Sequence, residues 1–420
     1  MALEPQDAVA VHLDAAELGP PRRIGVLARR RSRGHAALSF AYDAAWLDDR
    51  LAFALDPSLA LYAGEQYAPQ GAPQFGIFLD SAPDRWGRLL MERREALQAK
   101  RERRAARTLD DWDFLLGVHD LARAGALRFR RAPGAAFLDA SALPAPPLAR
   151  LRELEQAARA LQAPGAEKRG DYEKWLALLL APGSSLGGAR PKASFTDAEG
   201  GLWLAKFPAR EDRRDMGAWE YLLHRLARDA GIEVPASRLL ELAGARRTFC
   251  AQRFDRAAGS RRMMASALTL LGRRDGEAAS YLELAQLIQD QGAAGAIEAD
   301  LAQLFRRAAF NVMAGNRDDH LRNHAFLRTR GGWRLAPAFD MNPDPARQEH
   351  ALALDERHAA PDLALLEATA PYYRLAPRRA RTILQELRAA VPGWRRRARA
   401  LGIPAAEIAL VAPAFAHAVR

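Results

Sequence analysis

The sequence predicts an α+β protein of two lobes, preceded by an added N-terminal subdomain and ending in a mainly helical C-terminal lobe. Two observations carry that expectation. Short apolar strand-like runs and turns, with a few helices, fill the chain up to Phe254, whereas nearly everything after Ser280 has helical periodicity. Between them in importance lies Phe310–Asp340, where an apolar helical run breaks at Gly315 into a short polar loop bearing Asp318, Asp319, His320 and Asn323.

With 420 residues the chain can bury two or three cores. One cysteine, Cys250, excludes a disulfide framework and a Cys-rich zinc site, and fits a reducing cytoplasm. The opening MALEPQDAVAVHLD carries acids and no continuous apolar core, so it does not read as a signal peptide. No stretch reaches the roughly 20 apolar residues of a membrane-spanning helix, so a soluble protein without membrane contact is expected. The formal charge of +11 gathers at Arg29–Arg33, Arg93–Arg107 and Arg395–Arg399. Such runs give generic attraction to phosphate, or are solvated helix faces.

Along the chain, Ile24–Ala28 and Ala36–Tyr42 read as a hairpin around an Arg-rich turn, Arg29–Gly34, with Trp46 packed beneath a loop. Ser81–Asp84 starts a helix from Arg85 to Arg107, with Trp86, Leu89, Leu90 and Leu97 near helical spacing. Thr108–Gly117 reads as a short helix capped by Thr108, and Leu127–Arg130 as a strand. These form a subdomain over 1–131. The Ala- and Pro-rich segment 132–147 reads as a linker. An N-lobe-like region over 148–255 begins with helices Leu148–Leu161 and Asp171–Leu180; the helical lobe covers 256–420.

Within the N-lobe-like region, GSSLGGARPKASF (Gly183–Phe195) is a Gly-rich loop whose backbone N–H groups can cradle phosphates, or simply turn a hairpin. Next comes the strand LWLAKFP. Alternation puts Lys206 on the face of Leu202 and Leu204, as an edge lysine or as a holder of ATP phosphates. The helix Met216–Ala230 brings Glu220, either a partner for such a lysine or a solvent-facing acid. Strands Ser237–Glu241 and Thr248–Phe254 lead into Gln252–Arg256. Helices follow at Tyr281–Gln289, Ile297–Ala314, Leu363–Glu367, Pro377–Ala390 and Pro404–Val419.

Asp318 and Asn323 have the D-x-x-x-x-N spacing of a protein-kinase catalytic loop. A hairpin, His324–Leu327 and Trp333–Leu335, separates them from Asp340, which follows where a metal-binding aspartate belongs. Phosphoryl transfer needs a carboxylate to hold the attacking hydroxyl and oxygen ligands to keep magnesium on the phosphates. Asp319 is a second carboxylate, free to help with metal or to face solvent. His320 can orient the loop by hydrogen bonding.

Six segments in order then resemble the HipA family, the toxin kinases of bacterial type II toxin–antitoxin systems. They are FGIFLDSAPDRWGRLLMERR (Phe75–Arg94), SLGGARPK (Ser185–Lys192), LAKFP (Leu204–Pro208), RFDR (Arg253–Arg256), GNRDDHLRNHAF (Gly315–Phe326) and LAPAFDMNP (Leu335–Pro343). The resemblance spans almost the whole chain and implies a two-lobed, protein-kinase-like fold with ATP and Mg2+ as cofactors. It makes Asp318 the catalytic base and Asn323 and Asp340 the metal ligands. It places Lys206, Ser185, Gly187, Gly188, Ala189, Lys192, Glu220, Gln252, Phe254 and His320 about the nucleotide, though Gln252 stands where the family pattern suggests an acid. It also implies autophosphorylation at Ser185 (or the adjacent Ser184), where added negative charge disfavours ATP. Implied partners are a protein substrate of the translation machinery, such as an aminoacyl-tRNA synthetase, and a DNA-binding antitoxin, with DNA contact indirect. A small-molecule kinase of the aminoglycoside-phosphotransferase type shares the Asp, Asn, Asp logic. A non-catalytic, kinase-like binding protein is the third reading.

Overall fold

A computed structural model describes residues 7–32, 35–72, 74–139, 145–183 and 188–418. The chain falls into two compact units, Met1–Glu211 with Asp255–Ala265, and Asp212–Phe254 with Ser266–Arg420. The expected N-lobe region is thereby distributed over both.

The first unit begins with an antiparallel sheet of strands β1 (Ala8–Leu13), β2 (Arg22–Ser32), β3 (His35–Tyr42), β4 (Glu65–Tyr67) and β5 (Leu127–Arg130), in spatial order β4-β3-β2-β1-β5. Alternation along β1 turns Val9, Val11 and Leu13 inward, where they meet a core containing Phe40, Phe78 and Phe129. The arginines expected in a turn are part of the ladder: Arg29 pairs with Leu38 and Arg30 with Ala37. Arg29 is buried because Asp7 and Asp110 hold its guanidinium. Short helices α1 (Ala44–Leu47) and α2 (Gly76–Leu79) follow β3 and β4, with Trp46 buried as expected.

Helix α3 (Arg85–Arg101) starts where the sequence indicates, with Asp84 as N-cap. It stops six residues before the expected Arg107, because Arg103 takes a left-handed conformation (φ 52°) and the chain folds back. That return lets Arg104 and the Arg107 amide bind the buried Glu95, which sits on the helix's inner face. The next helix, α4 (Asp111–Leu116), is capped by Asp110 in a capping box with Asp113, not by Thr108. Arg123 is fully buried beside these elements and donates to the carbonyls of Ser81, Leu115, Val118 and Leu138.

Of the described residues in 132–147, Leu138 bridges to Phe129 and Pro147 to Thr196. Helices α5 (Leu151–Leu161) and α6 (Tyr172–Gly183) pack together, and β6 (Lys192–Thr196) and β7 (Leu202–Lys206) form an antiparallel hairpin.

The second unit opens with α7 (Met216–Asp229) and the hairpin β8 (Ser237–Leu240) and β9 (Thr248–Gln252). The chain returns to the first unit for the small hairpin β10 (Arg256–Ala257) and β11 (Ser260–Arg261), then leaves through β12 (Met264–Ser266). The helical half follows: α8 (Ala267–Leu270), α9 (Tyr281–Gln291), α10 (Ile297–Ala314), the hairpin β13 (Ala325–Thr329) and β14 (Gly332–Leu335), then α11 (Leu363–Ala368) and α12 (Pro377–Ala390). The Arg395–Arg399 run lies in a helix not expected from the sequence, α13 (Trp394–Ala400). Its Trp394 stacks on Phe415 (ring centroids 4.1 Å) and leans on Trp219, burying one face, while Arg395, Arg396 and Arg399 are exposed and Arg397 pairs with Asp229. The last expected helix is shorter, α14 (Ala405–Val411), followed by a 3-10 turn at Ala412–Phe415. No helix among the described residues is long and apolar enough to cross a membrane.

Candidate active site

In the second unit, α10 ends at Gly315 in a left-handed conformation (φ 65°). A Cβ there would lie 2.2 Å from the Ala414 carbonyl oxygen, so both backbone and space demand glycine. The chain leaves the helix as an extended loop, makes one 3-10 turn at Leu321–Asn323, and enters β13. That turn brings Asn323 back to Asp318, and its Nδ2 donates to the Asp318 carbonyl at 2.7 Å. The Asp318 side chain is half exposed and pairs with Arg347 at 2.8 Å. Arg347 is itself held near the loop, because its carbonyl accepts from Arg317 and its amide donates to Asp344. His320 is partly exposed, and its carbonyl accepts from the Asn323 amide.

Asp319 is not a solvated acid. It is buried at 1% exposure and accepts from Tyr281 Oη (2.5 Å), the Ala351 amide (2.9 Å) and, on the same oxygen as Tyr281, the His350 ring (3.0 Å). Burial alone would raise its pKa, but the His350 ring and the Tyr281 hydroxyl outweigh it and hold the carboxyl below its ordinary range. The Tyr281 hydroxyl, buried and beside that charge, is pushed well above its ordinary value. His324, also buried, is pushed down to about 4, chiefly by burial with Arg307 nearby, so it is neutral at neutral pH.

Asp340 follows β14 in a left-handed conformation (φ 56°), rare for a residue with a side chain and of the kind that persists at functional sites. Its neighbours Phe339 and Met341 line one small cavity with Asn311, Asn316, Asp319 and Asn323. The fold thus gathers the loop of Asp318 and Asn323 with the Asp340 segment, although they lie on opposite sides of a hairpin in sequence. Phe254 packs on Phe339 (centroids 5.3 Å), while Gln252 is exposed. Glu220 is buried in α7, which rules out the solvent-facing alternative.

In the first unit, Lys192 and Lys206 stand directly opposite each other across the β6–β7 hairpin. Lys192 is 2% exposed and Lys206 partly exposed. The Lys192 ammonium lies so close to Gly188 that a Cβ there would be 2.8 Å from it, and Gly188 is again left-handed (φ 102°). The Gly188 amide donates to Asp84, the cap of α3, and Trp86 of that helix donates to the Lys192 carbonyl at 3.1 Å. Ala189 is exposed. Ser184, Ser185 and Gly187 lie outside the described residues. Among those described, no group of three or more His, Cys, Asp or Glu has the disposition of a metal site.

The donors fit magnesium and a nucleotide. Asn323 has committed its Nδ2 to Asp318, which turns its amide oxygen into the free acceptor, and Asp340 adds a carboxylate. Two hard oxygen ligands with phosphate oxygens are the usual magnesium set.

Sequence reasoning missed Tyr281, Asn311, Asn316, His350 and Arg347. The signal for Asn311 was present, a lone amide inside the apolar run AAFNVMA.

The model of the HipA-like C-terminal domain matches residues 184–394. No curated protein sequence matches the chain. Among solved structures, the Shewanella oneidensis toxin–antitoxin complex of HipA, HipB and operator DNA aligns with 98% of this chain and 96% of its own, at 18% identity and a TM-score of 0.64. The Helicobacter pylori proinflammatory kinase CtkA aligns with 52% of this chain and 95% of its own, at 16% identity and a TM-score of 0.35. The fold class expected from the sequence, kinase-like with a mainly helical C-terminal part, is the one observed.

Proposed function

The chain belongs to the HipA-like family, and on that premise we propose that it is an ATP-dependent serine/threonine-protein kinase, the toxin of a type II toxin–antitoxin system. The observation that carries the kinase reading is the Asp318–Asn323 contact, formed in one loop beside the left-handed Asp340 segment. Asp318 holds the acceptor hydroxyl and takes its proton, which requires an accessible carboxylate; its side chain is half exposed. Asn323 and Asp340 hold magnesium. When bound, magnesium supplies charge neutralisation to the transferring phosphoryl group. Lys206 and Lys192 hold nucleotide phosphates, with Gly187, Gly188 and Ala189 offering close backbone approach. Glu220, Gln252, Phe254 and His320 complete the surroundings of the nucleotide.

Autophosphorylation at Ser185, or Ser184, is the regulatory step of this reading. The substrate is a protein of the translation machinery, and the protein acts in the cytoplasm. A DNA-binding antitoxin is its partner, and contact with DNA is indirect; the Shewanella relative is seen with HipB and operator DNA.

The experiment is intact-mass and phosphopeptide analysis after incubation with Mg–ATP, for the wild type, Asp318→Asn, Asp340→Asn and Ser185→Ala. One phosphate on the Gly183–Lys192 peptide, absent from both aspartate variants, supports the reading. Unphosphorylated protein whose melting temperature Mg–ATP leaves unchanged refutes it.

A further inference from the structure

We propose that Tyr281, Asn311 and Asn316 are positioning residues, joined in one buried hydrogen-bond chain that keeps the Asp318 loop and the Asp340 segment in register. This rests on reading the site as a phosphotransferase. The chain can be followed link by link. The Asn342 amide donates to Asn316 Oδ1 (3.1 Å), and Asn316 Nδ2 to Asn311 Oδ1 (3.0 Å). Asn311 Nδ2 donates to Tyr281 Oη (2.8 Å), and the Tyr281 hydroxyl to Asp319 (2.5 Å). One end therefore lies two residues after Asp340, and the other is the immediate neighbour of Asp318. His350 and the Ala351 amide fasten the Asp319 end to a third segment.

Packing stability alone does not call for this arrangement. Tyr281, Asn311, Asn316 and Asp319 are each 4% exposed or less, and Phe310, Val312 and Met313 around them are fully buried. A polar path through such a core stabilises no more than apolar residues of similar volume would, so its worth lies in specifying one geometry. Each donor faces one acceptor, and the sense of donation is the same from Asn342 to Asp319. A shift at one end therefore costs a bond at the next link. The reaction has the corresponding need: the group that holds the hydroxyl and the group that holds the metal must keep a fixed separation. A misplacement of about 1 Å is enough to cost about 100-fold in rate.

The test uses the full chain with Mg–ATP, with the chain itself and casein as phosphate acceptors. Tyr281→Phe removes a single oxygen and is the first variant; Asn316→Ala cuts the far end, and Asn316→Ser replaces it if that variant does not fold. Urea unfolding confirms that each is folded. Each single variant should lower the maximal transfer rate roughly 10- to 100-fold while leaving half-saturating Mg–ATP within about twofold. Because the first cut already breaks the chain, the double variant should be no slower than the slower single one. Rate losses that multiply, an effect confined to half-saturating Mg–ATP, or folded single variants with wild-type rates would each overturn the proposal. A wild type that labels neither acceptor would overturn the kinase reading and this inference together, which distinguishes it from an active wild type with unaffected variants.

Discussion

Replacing Asp319 with alanine removes the acceptor of two buried donors at once, the Tyr281 hydroxyl and the His350 ring, while the Ala351 amide keeps its second acceptor, the Arg317 carbonyl (3.1 Å). Each buried donor left without a partner costs about 1–3 kcal/mol. Relief from burying a carboxylate offsets part of that, so a net loss of about 3–5 kcal/mol is expected, the usual scale for breaking a buried charged pair from one side. Asp319→Asn keeps one oxygen acceptor and should lose about 1–2 kcal/mol. Urea unfolding at neutral pH, with tryptophan fluorescence reporting Trp219 and Trp394, measures both through shifts in midpoint at constant slope. Acid gives a second signature. The folded pKa of Asp319 is depressed, so its contribution is present above the unfolded value of about 3.9 and drains as pH falls through the folded value. Wild type and Asp319→Ala should accordingly converge in strong acid. An alanine variant within about 0.5 kcal/mol of wild type at neutral pH would refute the reasoning.

His324 titrates at about 4 in the folded protein against 6.5 ordinarily. The unfolded chain therefore gains its proton first, and stability present above pH 6.5 should fall by about 1.4 kcal/mol per unit as pH drops toward 4. His324→Gln should flatten that part of the stability–pH curve; an unchanged slope would place its origin elsewhere. Arg123→Leu takes the guanidinium from four carbonyls, of which Val118 keeps the Asp139 amide, and a loss of about 3–5 kcal/mol is expected by thermal or urea unfolding. A loss under about 1 kcal/mol would mean that water replaces the guanidinium. Arg347→Ala frees Asp318 from a half-exposed ion pair worth at most about 1 kcal/mol, so phosphate transfer should rise by up to about fivefold. A slower variant would assign Arg347 a role in holding the acceptor.

The candidate site was legible wherever the chain itself carries the constraint. The D-x-x-x-x-N spacing is local, so one 3-10 turn realises it and Asn323 meets Asp318. Helix α10 has the expected bounds because apolar periodicity ends at a glycine that the backbone requires. Elements were misjudged where a distant partner decided them. The Arg29–Arg31 run joins a strand because acids from elsewhere neutralise Arg29. Helix α3 stops early because Arg104 and Arg107 return to Glu95. Helix α13 forms because Trp394 finds Phe415 to stack on.

By itself, then, the sequence determined the α+β class, the order of strands before helices, and the identity and spacing of Asp318, Asn323, Asp340, Lys192 and Lys206. Those properties follow from periodicity, helix termini and short-range spacing, which act over a few residues. Tertiary structure alone decided that Asp319 is buried, that Glu220 is inside, and that Tyr281, Asn311, Asn316 and His350 are joined by hydrogen bonds to the loop that carries Asp318. These residues meet across separations of up to 38 positions. A hydrogen bond or a desolvated charge takes its value from whatever surrounds it, and in a linear chain that environment does not yet exist.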